Sequence, residues 1–183
     1  MTPFEALLTA ARGAAVRRIV LASSTSVWRD SSARAPARFV DEMSTPDATD
    51  AYSRSKMTCE VLLGASGIEG VRLRLARFVA PGDPGDDVRK LYRAIDPRDA
   101  ADAVVLAIDA ASPGPLYAIA APTPFSTVDA ALLGRDARAA IRARTGRDPA
   151  WAPERIGSVI VSERAQRELR WRCLYPSTLL GAN

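Results

Sequence analysis

Residues 16–22, Val-Arg-Arg-Ile-Val-Leu-Ala, form a short apolar run rich in β-branched side chains, bounded by Gly13 and by Ser23-Ser24-Thr25-Ser26. Such a run is too short for a core helix and is bounded by turn residues on both sides, so it reads as a buried strand. A strand of this kind needs cover, and the rest of the chain supplies segments of helical period on either side. Residues 4–12 carry apolar positions at helical spacing and stop at Gly13, which predicts a helix ahead of the strand.

The alternation continues along the chain. Residues 28–49 are rich in Ser, Ala, Pro, Asp and Arg without periodicity and read as a long surface loop. From Asp50 the pattern turns helical, with Asp47, Thr49 or Asp50 as the cap, and it ends at Gly67. A strand over 70–79 breaks at Pro81-Gly82, and a helix runs from Pro97 to Ala111 with Asp96 as its cap. A short strand over 116–120 follows, then a long helix from Ser126 to about Thr145, a strand over 158–161 and a last helix from Ser162 to Trp171. Strands alternating with helices at this spacing predict an α/β domain with a mainly parallel sheet.

Composition narrows the chemistry. The chain has 183 residues, 48% of them hydrophobic, enough to bury a core of its own without metals or disulfides. It contains no histidine, and Cys59 and Cys173 are far apart, so a Ser-His-Asp triad is excluded and no metal site is expected. The formal charge is +4, but the 25 basic residues, of which only Lys56 and Lys90 are lysines, are spread among 21 acids. No basic stripe emerges, and nucleic acid is not an expected partner. Without a signal peptide or an apolar run of membrane length, a cytoplasmic protein that does not span a membrane is expected.

The sequence of the predicted helix, Tyr52-Ser-Arg-Ser-Lys56, places a phenol and an ammonium four residues apart and so on one face. An ammonium near a phenol stabilises the phenolate, which suits the phenol to general acid and base work. The hydroxyl cluster from Ser23 to Ser26 falls at the carboxyl end of the first predicted strand, where open parallel sheets present ligand-binding groups.

Together these segments resemble the extended short-chain dehydrogenase/reductases, in particular the NAD-dependent epimerase/dehydratase family. Residues 19–28, Ile-Val-Leu-Ala-Ser-Ser-Thr-Ser-Val-Trp, resemble the family's strand ending in Ser-Ser-x-x-Val-Tyr, and Tyr52-x-x-Ser55-Lys56-x-x-x-Glu60 its Tyr-x-x-Ser-Lys-x-x-x-Glu helix. The run from Val71 to Gly82 is similar to the Leu-Arg-x-x-Asn-x-x-Gly-Pro-Gly segment, and Ile95-Asp96-Pro97-Arg98-Asp99-Ala100-Ala101 to the later His-Val-x-Asp-Val-Ala helix start. Gly114-Pro-Leu-Tyr117 and Ala165-x-x-x-Leu169-x-Trp171 resemble its last strand and its carboxyl-terminal Leu-Gly-Trp.

The resemblance implies a Rossmann-like parallel sheet and hydride transfer at a carbinol or carbonyl carbon, with NAD or NADP as cofactor. It makes Tyr52 the acid/base, Lys56 the group that readies it and holds the nicotinamide ribose, and Ser24 the hydroxyl on the substrate carbonyl. It places Phe78 and Val79 at the cofactor, and Ser26 and Arg77 with Ser24 at a small carbonyl or sugar-derived substrate. No Gly-x-x-Gly-x-x-Gly turn follows the first predicted strand as it does in the family, Arg77 stands for the family's asparagine and Ala80 for its next glycine, and the stretch between Gly82 and Asp99 is short.

The expectation is therefore a single truncated Rossmann-like domain over residues 1–183, the carboxyl-terminal part of the family's sheet, with 112–183 as an abridged substrate-side region. The edge of the 16–22 strand would be open and would invite a homodimer or a complementing chain. Two alternatives use the same residues differently. One is a cofactor-free enzyme moving protons with Ser24, Tyr52 and Lys56; the other is a noncatalytic pseudoenzyme that binds a partner by strand addition.

Overall fold

A computed structural model describes residues 2–29, 35–79, 81–110 and 114–181. The elements run α1 (Pro3–Gly13), β1 (Arg18–Ser24), β2 (Arg38–Val40), α2 (Ala51–Ala65), β3 (Glu69–Leu75), β4 (Arg77–Phe78), α3 (Pro84–Lys90) and β5 (Ala94–Ile95). Then follow α4 (Pro97–Asp109), β6 (Leu116–Ile119), α5 (Ala130–Leu133), α6 (Ala137–Thr145), β7 (Ser158–Ile160) and α7 (Glu163–Glu168), with single 3-10 turns at Thr25–Trp28, Thr127–Asp129 and Thr178–Leu180.

Three strands make the main sheet in the order β1-β3-β6, all parallel. The crossovers are α2 between β1 and β3 and α4 between β3 and β6, as parallel pairing requires. Two smaller parallel pairs, β2 with β7 and β4 with β5, complete the strands among the described residues. This is the expected α/β architecture with parallel sheets and flanking helices. No helix among the described residues is long and apolar enough to cross a membrane.

The helix starts follow local chemistry. Thr2 and Glu5 form a capping box on α1, Asp50 accepts from the Ser53 amide at the start of α2, and Asp96 accepts from the Arg98 amide ahead of Pro97 in α4. At the other end of α4, the Arg18 guanidinium donates to the carbonyls of Ala107, Ile108 and Ala110, closing groups that a helix end leaves open.

Several expectations are corrected. The helix expected from Ser126 to Thr145 is broken: Asp136 caps a new helix by accepting from the Ala139 amide, while the amides of Ile156 and Ala137 bridge the break to Leu133 and Glu154. The loop expected over 28–49 contains β2, a strand made by tertiary pairing, since Arg38 N–H donates to Gly157 O and Val161 N–H to Val40 O. Residues 30–34 of that loop lie outside the described residues. The strand over 70–79 splits at Ala76, whose amide turns to Ile119 O while Arg77–Phe78 pairs with β5. The last helix is shorter, at Glu163–Glu168, and α3 with β5 fills a stretch where no element was expected.

One cluster of buried side chains surrounds the main sheet, including Val71, Leu73, Tyr117, Ile119, Ala103 and Trp171. A second gathers Leu91, Phe125, Leu133, Ile141, Ile156 and Val159 under the smaller strands. Gly70 in β3 has a clear steric reason: a Cβ there would lie 2.6 Å from Leu63 Cγ, so only glycine lets α2 come this close. The chain end is pinned to α4 by Asp99, which accepts from the amides of Leu174 and Tyr175 and from the Cys173 thiol. Burial and that carboxylate push Cys173 up to about 12, so both lower its reactivity.

The polar core centres on Glu60 and Arg74, whose side chains are each 4% exposed. Arg74 donates to both Glu60 oxygens, at 3.0 and 2.8 Å, and Ser23 donates to Glu60 as well. The same guanidinium lies 4.6 Å from the Trp28 ring centroid. Replacing Glu60 by Gln would leave a buried cation without its counter-charge, and urea unfolding is expected to show a loss of about 3–5 kcal/mol.

Asp96 supplies a pH-dependent contribution. Its two hydrogen bonds from the Arg98 guanidinium, at 2.8 and 2.9 Å, hold its carboxyl down at about 2, against the ordinary 3.8, with the Arg98 amide and Lys90 adding to the effect. A depressed carboxyl stabilises the fold above its unfolded value and loses that contribution as pH falls toward the folded one. Asp96→Asn should therefore be less stable than the parent at pH 6, and the gap in urea midpoint should narrow as pH drops from about 4 to about 2.

Candidate active site

The carboxyl ends of β1 and β3 open into a pocket of about 380 Å³. It brings together Ser24 at the end of β1 and Ser26 just after it, Tyr52 and Lys56 from α2, and Arg77 and Phe78 from β4. The helix is set over the strand end by a polar stripe. Ser53 Oγ lies 3.1 Å from Ser26 O, Lys56 Nζ donates to Ala22 O at 2.9 Å, and Glu60 takes the Ser23 hydroxyl. Positions 53, 56 and 60 recur at the helical period, so one face of α2 grips the end of β1 through hydrogen bonds.

Ser53 also reaches Asp50, and that hydrogen bond holds the Asp50 carboxyl below its ordinary value. Tyr52 is 55% exposed, and the Lys56 ammonium stands 5.5 Å from the centre of its ring. The spacing thus delivers the expected pairing of phenol and cation on one face. Ser24 Oγ accepts from the Ser26 amide at 3.1 Å, which fixes its rotamer and leaves its own hydrogen to donate. The Ser26 hydroxyl oxygen is buried and has no hydrogen-bond partner among the described residues.

Val79, the remaining expected contact, is placed elsewhere. It is buried in the protein, its amide donates to Ile95 O, and it does not border the pocket. Ala80, where the resemblance expects a glycine, lies outside the described residues. Arg93 was not anticipated. It borders the pocket because β4 pairs with β5, the Arg77 amide donating to Arg93 O at 3.3 Å, and burial holds Arg93 below its ordinary pKa. Strands of two residues leave no periodicity, so the sequence carried no signal that Arg93 and Arg77 would meet.

A larger cavity of about 480 Å³ lies between α3, the start of α4 and the chain end. Its cations are already paired, since Arg98 and Lys90 both meet Asp96, and none of the hydroxyl cluster or Tyr52 borders it. The chemistry-bearing groups meet in the smaller pocket.

No protein-family model matches the sequence, and no curated protein does. Solved structures do match. A UDP-N-acetylglucosamine 4-epimerase from Bacillus cereus superposes with a TM-score of 0.63 at 19% identity over 97% of this chain and 65% of its own. The chain shares the fold of that part of the structure. The UDP-glucose 4-epimerase of Thermotoga maritima, solved with UDP-glucose, gives 0.62 at 18% identity, covering 97% of this chain and 65% of that one. The UDP-glucose 4-epimerase of Brucella ovis, solved in complex with NAD, gives 0.61 at 18% over 97% and 67%. The chain thus spans about 65% of the length of the first of these epimerases, with nearly all of its own length inside their fold.

The two edges of the main sheet differ among the described residues. On the outer edge of β6 the Ala118 amide is taken by Glu42 and the Ala120 amide by the Ser162 hydroxyl, at 2.7 and 2.8 Å. On the other side, β1 has no neighbouring strand among the described residues. Removing the carboxylate by Glu42→Ala exposes an unmade hydrogen bond at the guarded edge, and a loss of about 1–3 kcal/mol in urea unfolding is expected.

Proposed function

We propose that this chain carries the acid/base centre of an NAD(P)-dependent epimerase, dehydratase or reductase, a cytoplasmic enzyme acting on a small carbonyl or sugar-derived substrate. The observation that supports this reading above all is the convergence of Ser24, Tyr52 and Lys56 on one pocket at the carboxyl ends of parallel strands. The fold shared with the epimerases agrees with it.

In this reading the Tyr52 hydroxyl exchanges a proton with the substrate oxygen as carbinol and carbonyl interconvert. Ser24 donates to that oxygen with the hydrogen its cap bond leaves free. Lys56 places its positive charge beside the phenol, favouring the phenolate that takes the proton. A bound nicotinamide would supply the hydride chemistry. Lys56 and Tyr52 would hold its ribose end, with Phe78 as an apolar wall.

The residues present fit that end of the cofactor only. Among the 183 residues the Gly-x-x-Gly-x-x-Gly spacing occurs at Gly64, Gly67 and Gly70, which lead from α2 into β3 and not from a strand into a helix, so in this reading the diphosphate cradle comes from outside them. We place its entry beside β1, supplied by a second copy or a complementing chain whose strand pairs with the open edge. That no such glycine turn leads from a strand into a helix also favours a second reading, proton transfer on a carbonyl compound by Ser24, Tyr52 and Lys56 without any nicotinamide. A noncatalytic partner-binding role through the same β1 edge remains a third.

Thermal melting of the purified protein with saturating NAD, NADH, NADP or NADPH separates these readings, because a ligand bound to the native state raises the midpoint. One nucleotide is expected to raise it, with Lys56→Met removing the shift. No shift with any of the four would overturn the nicotinamide reading in which a second copy completes the site. In a turnover assay, Tyr52→Phe is expected to cost about 10²–10⁴-fold in rate; an unchanged rate would remove Tyr52 from the chemistry in either catalytic reading.

A further inference from the structure

The wall of the active pocket has an unusual balance of charge. Lys56, Arg77 and Arg93 border it, Lys56 and Arg93 each with a partner of its own, and among its described lining residues there is no aspartate or glutamate. Arg77 is exposed, and its side chain makes no hydrogen bond or ion pair with the described residues. Two arginines that line other cavities are tied to acids, Arg98 to Asp96 beside the larger cavity and Arg164 to Glu168 beside β2 and α7. The pairing of β4 with β5 fixes the backbone that carries Arg77 against Arg93, so the positive charge is positioned by the fold.

A guanidinium offers a fork of donors that matches a planar or tetrahedral oxyanion, and such charge-assisted bonds are among the strongest a pocket can make. Ser26 borders the same space, and its buried hydroxyl oxygen has no partner among the described residues. At about 380 Å³ the pocket is near the small end of ligand sites, which suits a compact molecule.

We propose that the pocket selects a small substrate bearing its own oxyanion, a carboxylate or a phosphate, held by Arg77 beside the carbonyl or hydroxyl carbon that faces Tyr52. The inference rests on the proposed function for the identity of the reacting carbon. Arg77 is then a specificity residue: it anchors the charged end of the substrate and orients the other end toward Ser24 and Tyr52.

Calorimetric titration of the purified chain, with no nucleotide present, tests the site through matched probes. Pyruvate is compared with pyruvamide, and glycolaldehyde phosphate with glycolaldehyde. One charged probe is expected to bind at least tenfold more tightly than its neutral counterpart, and the preference should shrink as salt is raised. Arg77→Met should remove most of the preference, and Arg77→Lys should restore part of it. The probe pair that carries the preference distinguishes carboxylate from phosphate.

Equal affinity for charged and neutral probes, a preference that survives both Arg77→Met and Arg77→Gln, or no binding by any probe would overturn the proposal. Arg77 is exposed, so these variants are expected to fold. A chain that discriminates oxyanions through Arg77 but melts identically with all four nucleotides would retain the anion site and overturn only the nicotinamide reading in which a second copy completes the site.

Discussion

The buried contact between Glu60, Arg74 and Ser23 joins the three elements on which the rest of the molecule is built. Ser23 belongs to β1, Arg74 to β3 and Glu60 to α2, so one carboxylate ties the crossover helix to both strands it connects. A carboxylate and a guanidinium removed from water are tolerated only when each is the other's partner, which makes the register of all three elements interdependent. The Trp28 ring over Arg74 extends the constraint to the turn that follows β1. Shifting α2 by one residue would separate the pair and swing Tyr52 and Lys56 away from the strand end.

That register creates the active pocket. Ser53, Lys56 and Glu60 spend one face of α2 on hydrogen bonds to β1 and the following turn, and the phenol of Tyr52 is left exposed beside them. The helix is therefore only weakly amphipathic in its apolar residues, because the face turned to the strand is polar. Gly70 completes the fit by letting Leu63 lie directly against β3. Packing and chemistry are not separable here, since the bonds that seat the helix are also those that aim its functional side chains.

The two edges of the main sheet differ in the same physical terms. Beyond β6, Glu42 and Ser162 occupy amides that would otherwise attract another strand; burial pushes the Glu42 carboxyl above its ordinary value while the Ala118 amide and the Arg164 charge draw it down. Beside β1 no strand is present among the described residues, and the pocket lies at the carboxyl end of that same strand. A strand arriving there would lie alongside the pocket, which makes the edge and the proposed cofactor chemistry parts of one question.

The sequence by itself determined the α/β alternation, the capped starts of α2 and α4, and the presence of Tyr52 and Lys56 on one helical face, because these follow from periodicity and local hydrogen bonding. The hydroxyl cluster at the end of β1 was legible for the same reason. Tertiary structure alone decided what short-range pattern cannot encode. The alternation of Arg72 and Arg74 with Val71, Leu73 and Leu75 reads as one polar face, yet Arg74 is buried because Glu60, fourteen positions earlier, meets it there. The two-residue pairing of β4 with β5 and the three-residue pairing of β2 with β7 depend on partners far away in the chain, as does the break between α5 and α6. It is that distant pairing, and no local signal, that sets Arg77 and Arg93 at the mouth of the same pocket.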